Sequence, residues 1–265
     1  MNIPAERWYQ AVFQRHSRRQ FNKKALPENI VNDLLLIQEE LNGHLPGSRI
    51  VFKNQDPDAI FSGAIGSYGK IKDAPTYAAF IGDMRDPNVQ EKVGYLGECF
   101  ILEATAMGLA TCWVGGFFRP EIVAEQIKIE SYEKVLSVTP VGFTDSSYSL
   151  TEKMMSGMVG SKKRKPLTEL YVSEAEYPVW VQSALEAGRL APSAVNRQPW
   201  RFFIENNSIK VTTDAEKGIA DKSNISKRLD CGIAMAHIEI AALKNGVIGQ
   251  WQYLLNPDVA IFKAK

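Results

Sequence analysis

The sequence predicts an α+β fold in which one unit occurs twice, and three observations carry that expectation. Several segments space their apolar residues at the helical period. Between them lie short apolar, β-branched runs that read as buried strands, two of them flanking the hairpin pair Asn206-Asn207. The third observation is internal similarity. Shifting the chain by 138 residues lays Gly94 on Gly232, Ala104 on Ala242, Gly108 on Gly246 and Trp113 on Trp251. Both copies then read as apolar helix, glycine stop and a strand bearing Trp. Upstream, helix, Pro-containing loop and strand recur as 30–41, Leu45-Pro46-Gly47 and 50–52, then as 180–190, Ala191-Pro192-Ser193 and 202–204. A length of 265 residues suits about two average domains or one large one. The halves are drawn at 1–150 and 151–265 and are expected to form one compact unit.

In chain order, Trp8, Val12 and Phe13 recur at helix spacing, and Arg15-His16-Ser17-Arg18-Arg19-Gln20-Phe21 breaks that pattern. Pro27-Glu28 starts a second helix with Ile30, Leu34, Leu35, Ile37 and Leu41 along one side, because Pro suits a first turn. Strands are expected at 49–53 and 76–81, the second after a patch holding Gly63, Gly66 and Gly69. A long apolar helix follows over about 91–107, closed by Gly108 as a C-cap. Its small residues Gly94, Gly97, Ala104 and Ala106 would let another helix pack closely. Residues 111–118 read as a short strand entering a glycine loop, and 135–143 as another buried strand. The polar stretch 144–165, with Met154, Met155 and Met158, reads as a linker or excursion. An amphipathic helix over 178–190, a loop to Trp200, strands at 201–205 and 209–213, and a helix over about 229–243 ending near Gly246 complete the reading.

Composition narrows the function. Lys and Arg total 31 against 30 Asp and Glu, so the net charge of +1 supplies no field to draw a nucleic acid or a membrane surface. Cys99, Cys112 and Cys231 are too few and too scattered for a disulfide framework, and none forms C-x-x-C, which favours a reducing compartment. No apolar run stands behind the first charged residues and none reaches 18 residues. The expectation is a soluble cytoplasmic protein with no nucleic-acid or membrane partner.

Spacing dismisses several motifs. The glycines of Gly63-Ala64-Ile65-Gly66-Ser67-Tyr68-Gly69-Lys70 fall three apart, unlike a dinucleotide fingerprint. Ile71 stands where a phosphate loop needs Ser or Thr for magnesium. His237-Ile238-Glu239 has no P-C-x-x-C after it and His44 is isolated, so no zinc ligand set exists and His237 reads as a satisfied core histidine. No G-x-S-x-G elbow is present.

One constellation survives. Arg15-His16-Ser17-x-Arg19 gathers guanidinium, imidazole and hydroxyl donors at a helix end, a set suited to phosphate. Lys162-Lys163-Arg164-Lys165-Pro166 forms a second basic cluster. Pro192-Ser193-x-x-Asn196-x-Gln198-Pro199-Trp200 offers amide groups on a Pro-stiffened loop that can read the edge of a flat heterocycle, and Gly115-Gly116 lets backbone N–H groups approach a ring.

These strings, with Phe21, the 108–117 stretch and Arg164-Lys165-Pro166-Leu167, resemble the FMN-dependent nitroreductase family over most of the chain. The resemblance implies a central, mainly antiparallel sheet flanked by helices and, ordinarily, an intertwined homodimer with FMN at the interface. It implies that Arg15, His16, Ser17, Arg19, Lys162 and Arg164 hold the FMN phosphate and ribityl chain. Pro192, Ser193, Ala194 and Asn196 would pack along the isoalloxazine, Gly115 and Gly116 would address its N5 side, and Lys70 would contact the flavin. Trp113, Phe117, Phe118 and Trp200 are candidate stacking walls.

Two departures matter. The place after the Arg15–Arg19 turn where the family carries Pro-Ser-x-x-Asn holds Asn42-Gly43-His44-Leu45-Pro46-Gly47-Ser48, and the second half has that loop without the basic turn. A fused duplication would complete one site and abandon its twin, so the resemblance implies a monomeric single-chain pseudo-dimer with one FMN. The implied activity is NAD(P)H-driven, ping-pong reduction of nitroaromatics, quinones or similar flat acceptors, with no side chain as nucleophile. A non-catalytic FMN carrier or pseudoenzyme is the alternative, since one ancestral site is lost.

Overall fold

Helix α1 (Ala5–Gln14) buries Trp8, Ala11 and Val12 on one stripe, and α2 (Glu28–Asn42) follows Pro27 and buries Leu34 and Leu41. The computed structural model describes residues 2–62, 71–145, 152, 163–215 and 225–265. The glycine patch with Lys70, and Lys162 with most of the 144–165 stretch, therefore lie outside the described residues. The first half continues with β1 (Ser48–Lys53), the single-turn α3 (Asp58–Phe61), β2 (Thr76–Asp83), α4 (Val89–Ala106), β3 (Ala110–Thr111), α5 (Pro120–Gln126) and β4 (Glu133–Gly142). The second comprises β5 (Tyr171–Ser173), α6 (Val179–Leu190), β6 (Trp200–Glu205), β7 (Ser208–Thr213), α7 (Lys227–Lys244), β8 (Gly249–Tyr253) and β9 (Asp258–Ala264).

The fold is α+β with antiparallel sheets flanked by helices, as expected, and its strands are divided between two sheets. The first runs β1-β2-β4-β3 and the second β5-β6-β7-β9-β8. All pairs are antiparallel except β5 on β6. Apart from that edge strand, the second sheet repeats the strand order of the first. In both, the long helix lies in sequence between the second strand and the short third one.

Burial follows from which faces are covered. Strand β2 is covered on both sides: Ala78 and Phe80 join the main core, while Tyr77, Ala79 and Ile81 join a smaller cluster with Phe61 of α3 and Val123 of α5. Strand β6 is covered on one side, so Trp200, Phe202 and Ile204 are buried while Phe203 and Glu205 are exposed. The main core runs from Trp8 to Phe262 and belongs to both halves.

Helices α4 and α7 meet at their glycines. A Cβ on Gly94 would lie 2.1 Å from the Leu229 carbonyl oxygen, and one on Gly232 would lie 2.0 Å from that of Glu91. The two contacts are reciprocal and keep the 138-residue offset seen in the sequence. So do the helix ends. Gly108 (φ +79°) and Gly246 (φ +76°) donate to the Thr105 and Leu243 carbonyls at 2.9 Å. Leu109 and Val247 donate to those of Ala104 and Ala242 at 2.9 Å. Each end is a Schellman cap with glycine at the left-handed position.

One expected strand is shorter than its apolar run. After Thr111 the chain leaves the sheet, returns for a single bridge between Val114 and Val138, and bends through Gly115 and Gly116.

Candidate functional site

A cavity of about 540 Å³ opens at the seam of the two halves. Arg15, His16, Ser17 and Arg19 line it from the end of α1, and Gly115 and Gly116 from the segment after β3. Arg164, Pro192, Ser193, Ala194 and Asn196 line it from the second half. Apart from two of the candidate stacking aromatics, the structure thus brings together every candidate cofactor-binding residue that it describes; Lys70 and Lys162 fall outside the described residues.

The basic turn is pinned from both sides. Helix α1 stops at Arg15, whose N–H still reaches the Ala11 carbonyl at 2.8 Å. The chain then runs beside β3, with Ser17 bridged to Thr111 and the Arg18 N–H donating to the Thr111 carbonyl at 2.9 Å. Beneath it, the buried Glu152 carboxylate accepts from the N–H groups of Arg19 (2.9 Å) and Gln20 (3.2 Å) and from Arg18 Nε (3.2 Å).

The opposite wall is a strained loop. Val195, Asn196 and Gln198 take φ of 50°, 56° and 49°, left-handed values that cost about 1–3 kcal/mol each for residues with a Cβ. Polar contacts hold them. Ser193 Oγ accepts from the Gln198 N–H at 2.9 Å, and Gln198 Oε1 accepts from the Lys165 N–H at 2.8 Å. Asn196 Nδ2 donates to the Lys163 carbonyl at 2.8 Å, and its Oδ1 accepts from Arg164 Nη1 at 3.1 Å. The buried Asp230 at the start of α7 accepts from the Ala194 N–H at 3.1 Å and from Arg197 Nε at 2.7 Å. The Asn and Gln of the loop therefore strap the basic segment 163–165 to the cavity wall.

Of the three arginines that line the cavity, Arg15 and Arg164 come from different halves. Arg15 is 8% exposed, and its Nη1 is buried without a hydrogen-bond partner among the described residues. Arg164 donates to the Leu190 carbonyl at 3.1 Å, and burial together with the positive charges of Arg15 and Arg189 pushes its pKa down to about 10. Buried like charges with an unspent donor fit an anion. The apolar part of the lining is formed by residues such as Val12, Trp113, Phe117, Ile225 and Leu229. Gly115 contributes space: a Cβ there would meet only the Ile225 side chain, at 3.6 Å, so the fold itself does not require glycine.

Of the aromatic candidates, Trp113 and Phe117 line the cavity. Trp200, the first residue of β6, is fully buried in the main core, and Phe118 packs into the smaller cluster beyond the first sheet, so neither is a cavity wall. Phe13, half exposed, and Cys112 join the lining unexpectedly. Glu98, Asp230, Arg197 and Glu152, which organise the walls, belong to no motif and are brought there only by tertiary packing. No cluster of three metal-ligating side chains occurs among the described residues.

Known proteins resemble this chain in sequence and in fold. The family described as "Putative TM nitroreductase" matches residues 7–242. A crystal structure of a putative nitroreductase from Thermotoga maritima superposes with a TM-score of 0.59 at 19% identity, covering 96% of this chain and 92% of that one, a likeness of fold. A nitroreductase with bound FMN from Bacteroides fragilis gives a TM-score of 0.43 at 17% identity over 54% of this chain and 91% of that one. The curated "Putative NAD(P)H nitroreductase acg" of Mycobacterium tuberculosis is 28% identical over 80 residues, which is 29% of this chain and 24% of that relative's length.

Proposed function

The chain belongs to the "Putative TM nitroreductase" family, and from that premise we propose that it is an FMN-dependent oxidoreductase using NAD(P)H to reduce flat acceptors such as nitroaromatics and quinones. The observation that carries the reading is the cavity itself. It joins a cationic end, where Arg15 keeps a buried donor unspent, to an apolar end beside a strained loop. A phosphate-bearing planar heterocycle has both of those characters, and the volume lies within the usual range for a cofactor site.

In this reading Arg15, His16, Ser17, Arg19, Arg164 and Lys162 hold the phosphate and ribityl chain. Pro192, Ser193, Ala194 and Asn196 would flank the ring, and Gly115 and Gly116 would offer it backbone N–H groups; Lys70, assigned to the ring from the sequence, lies outside the described residues. FMN, when bound, supplies hydride acceptance and delivery. The chain's own task is placement. Arg15 and Arg164 keep positive charge beside the site, which favours an electron-rich ligand. The strained loop, held by Asp230, presents fixed backbone to the ring. Trp113 and Phe117 exclude water from the apolar end.

Both walls come from one chain, and the strand order of the first half recurs in the second. On that basis the protein is read as a duplicated, monomeric pseudo-dimer with one flavin. An absorbance scan of the purified protein with a flavin-to-chain ratio and a size-exclusion mass tests this, followed by NAD(P)H oxidation with menadione or a nitrofuran. One FMN per monomer and steady turnover are expected. A colourless protein that takes up no added FMN overturns the cofactor, and flavin without turnover overturns the enzyme.

A further inference from the structure

Glu98, on α4, is fully buried, and three segments converge on its carboxylate. Oε2 accepts from Trp113 Nε1 at 2.7 Å. Oε1 is bonded to His237 Nε2 of α7 at 2.8 Å and lies 3.7 Å from Arg15 Nε. His237, also fully buried, places Nδ1 2.9 Å from the Ala187 carbonyl oxygen of α6. A carbonyl only accepts, so Nδ1 carries hydrogen, and the Nε2–Oε1 bond holds one further proton. Trp113 and Arg15 line the cavity; Glu98 and His237 stand behind them. The indole has one close seat: a Cβ on Gly97 would lie 2.4 Å from its Cη2, and its ring centroid is 4.7 Å from that of Phe80.

We propose that Glu98 is a positioning residue of the cavity: its carboxylate, locked by His237, sets both the Arg15 guanidinium at the cationic end and the Trp113 indole at the apolar end. One buried carboxylate thereby couples the two ends of the site. The identity of the ligand, FMN, rests on the function proposed above; the positioning role does not.

A double-mutant cycle tests the coupling, with FMN as the probe. Glu98→Gln and Arg15→Gln are each expected to weaken FMN binding by roughly tenfold or more, the order of a lost charge-assisted hydrogen bond. If Glu98 acts through Arg15, the double variant binds within about twofold of Arg15→Gln alone; losses that multiply overturn the coupling. A second readout needs no ligand. In Glu98→Gln the Trp113 indole N–H resonance of the ligand-free protein is expected to shift and to exchange faster; an unchanged resonance overturns the positioning role. Absence of FMN binding in the wild type sinks the cofactor reading and leaves this second arm decisive. Should Glu98→Gln fail to fold, His237→Gln unlocks the same carboxylate and must move the Trp113 resonance in its place; no movement overturns the proposal.

Discussion

Arg15 and Arg164 bring like charges to one end of the cavity, while Arg164 also tethers Asn196 and the Leu190 carbonyl. Arg164 is pushed down to about 10 by burial and by Arg15 and Arg189, so its folded-state pKa lies below the ordinary arginine value. Its charge therefore costs stability throughout the neutral range, and that cost is relieved only as pH rises through about 10. Arg164→Met should weaken FMN binding, measured by fluorescence titration, because it removes one of the two charges at that end of the cavity together with the tether to Asn196. Arg15→Ala should cost flavin affinity by about 1.5–3 kcal/mol through lost charge-assisted bonds; unchanged retention of FMN contradicts its assignment.

Glu239 shows the opposite sign. Burial raises its pKa, although Tyr95 Oη and Trp251 Nε1 donate to Oε2 at 2.9 and 2.8 Å. A carboxyl raised in the folded state contributes stability below the usual carboxylate range and loses it as pH rises through the shifted value. Glu239→Gln, whose amide oxygen still accepts, should leave the melting temperature unchanged near pH 4 and raise it near pH 8.

At the level of elements, the α4–α7 crossing depends on Gly94 and Gly232, since a Cβ at either would meet backbone at about 2 Å. Gly232→Ala should destabilise by more than the ~1–3 kcal/mol of ordinary overpacking, because backbone cannot turn aside as a side chain does. Gly108→Ala meets nothing within 4 Å and should cost only the strain of its positive φ, about 1 kcal/mol. Chemical denaturation of the pair separates steric from conformational demand.

The elements also show what the sequence can and cannot display. Long amphipathic helices and the β6–β7 hairpin were legible because every turn repeats the same signal. Strand β9 was not, since Val259 and Ala260 are both buried where a register shift interrupts its pairing with β7, and this breaks the two-residue period. Strand β5 and α3, at three and four residues, are too short to show any period. In the site, the Arg15–Arg19 turn and the 192–200 loop were legible as strings. Asp230 and Glu98 were not, because each is an acid in an apolar helix whose partners lie 15 to 139 residues away.

For the whole molecule, a ligand that binds only the folded state should stabilise it by mass action. FMN at a hundredfold excess over its dissociation constant should add about 2.7 kcal/mol, read as a rise in melting temperature; riboflavin, which lacks the phosphate, should add less. Among the described residues no helix is long and apolar enough to cross a membrane. The stabilisation should be seen as one cooperative transition, because the main core runs unbroken through both halves.

Because the basic turn and the strained loop are covalently continuous, no encounter between separate molecules is needed to assemble the two walls. On the single-chain reading proposed above, dilution, which dissolves any pocket shared between subunits, leaves this one whole. Flavin retention should accordingly be the same at nanomolar as at micromolar protein.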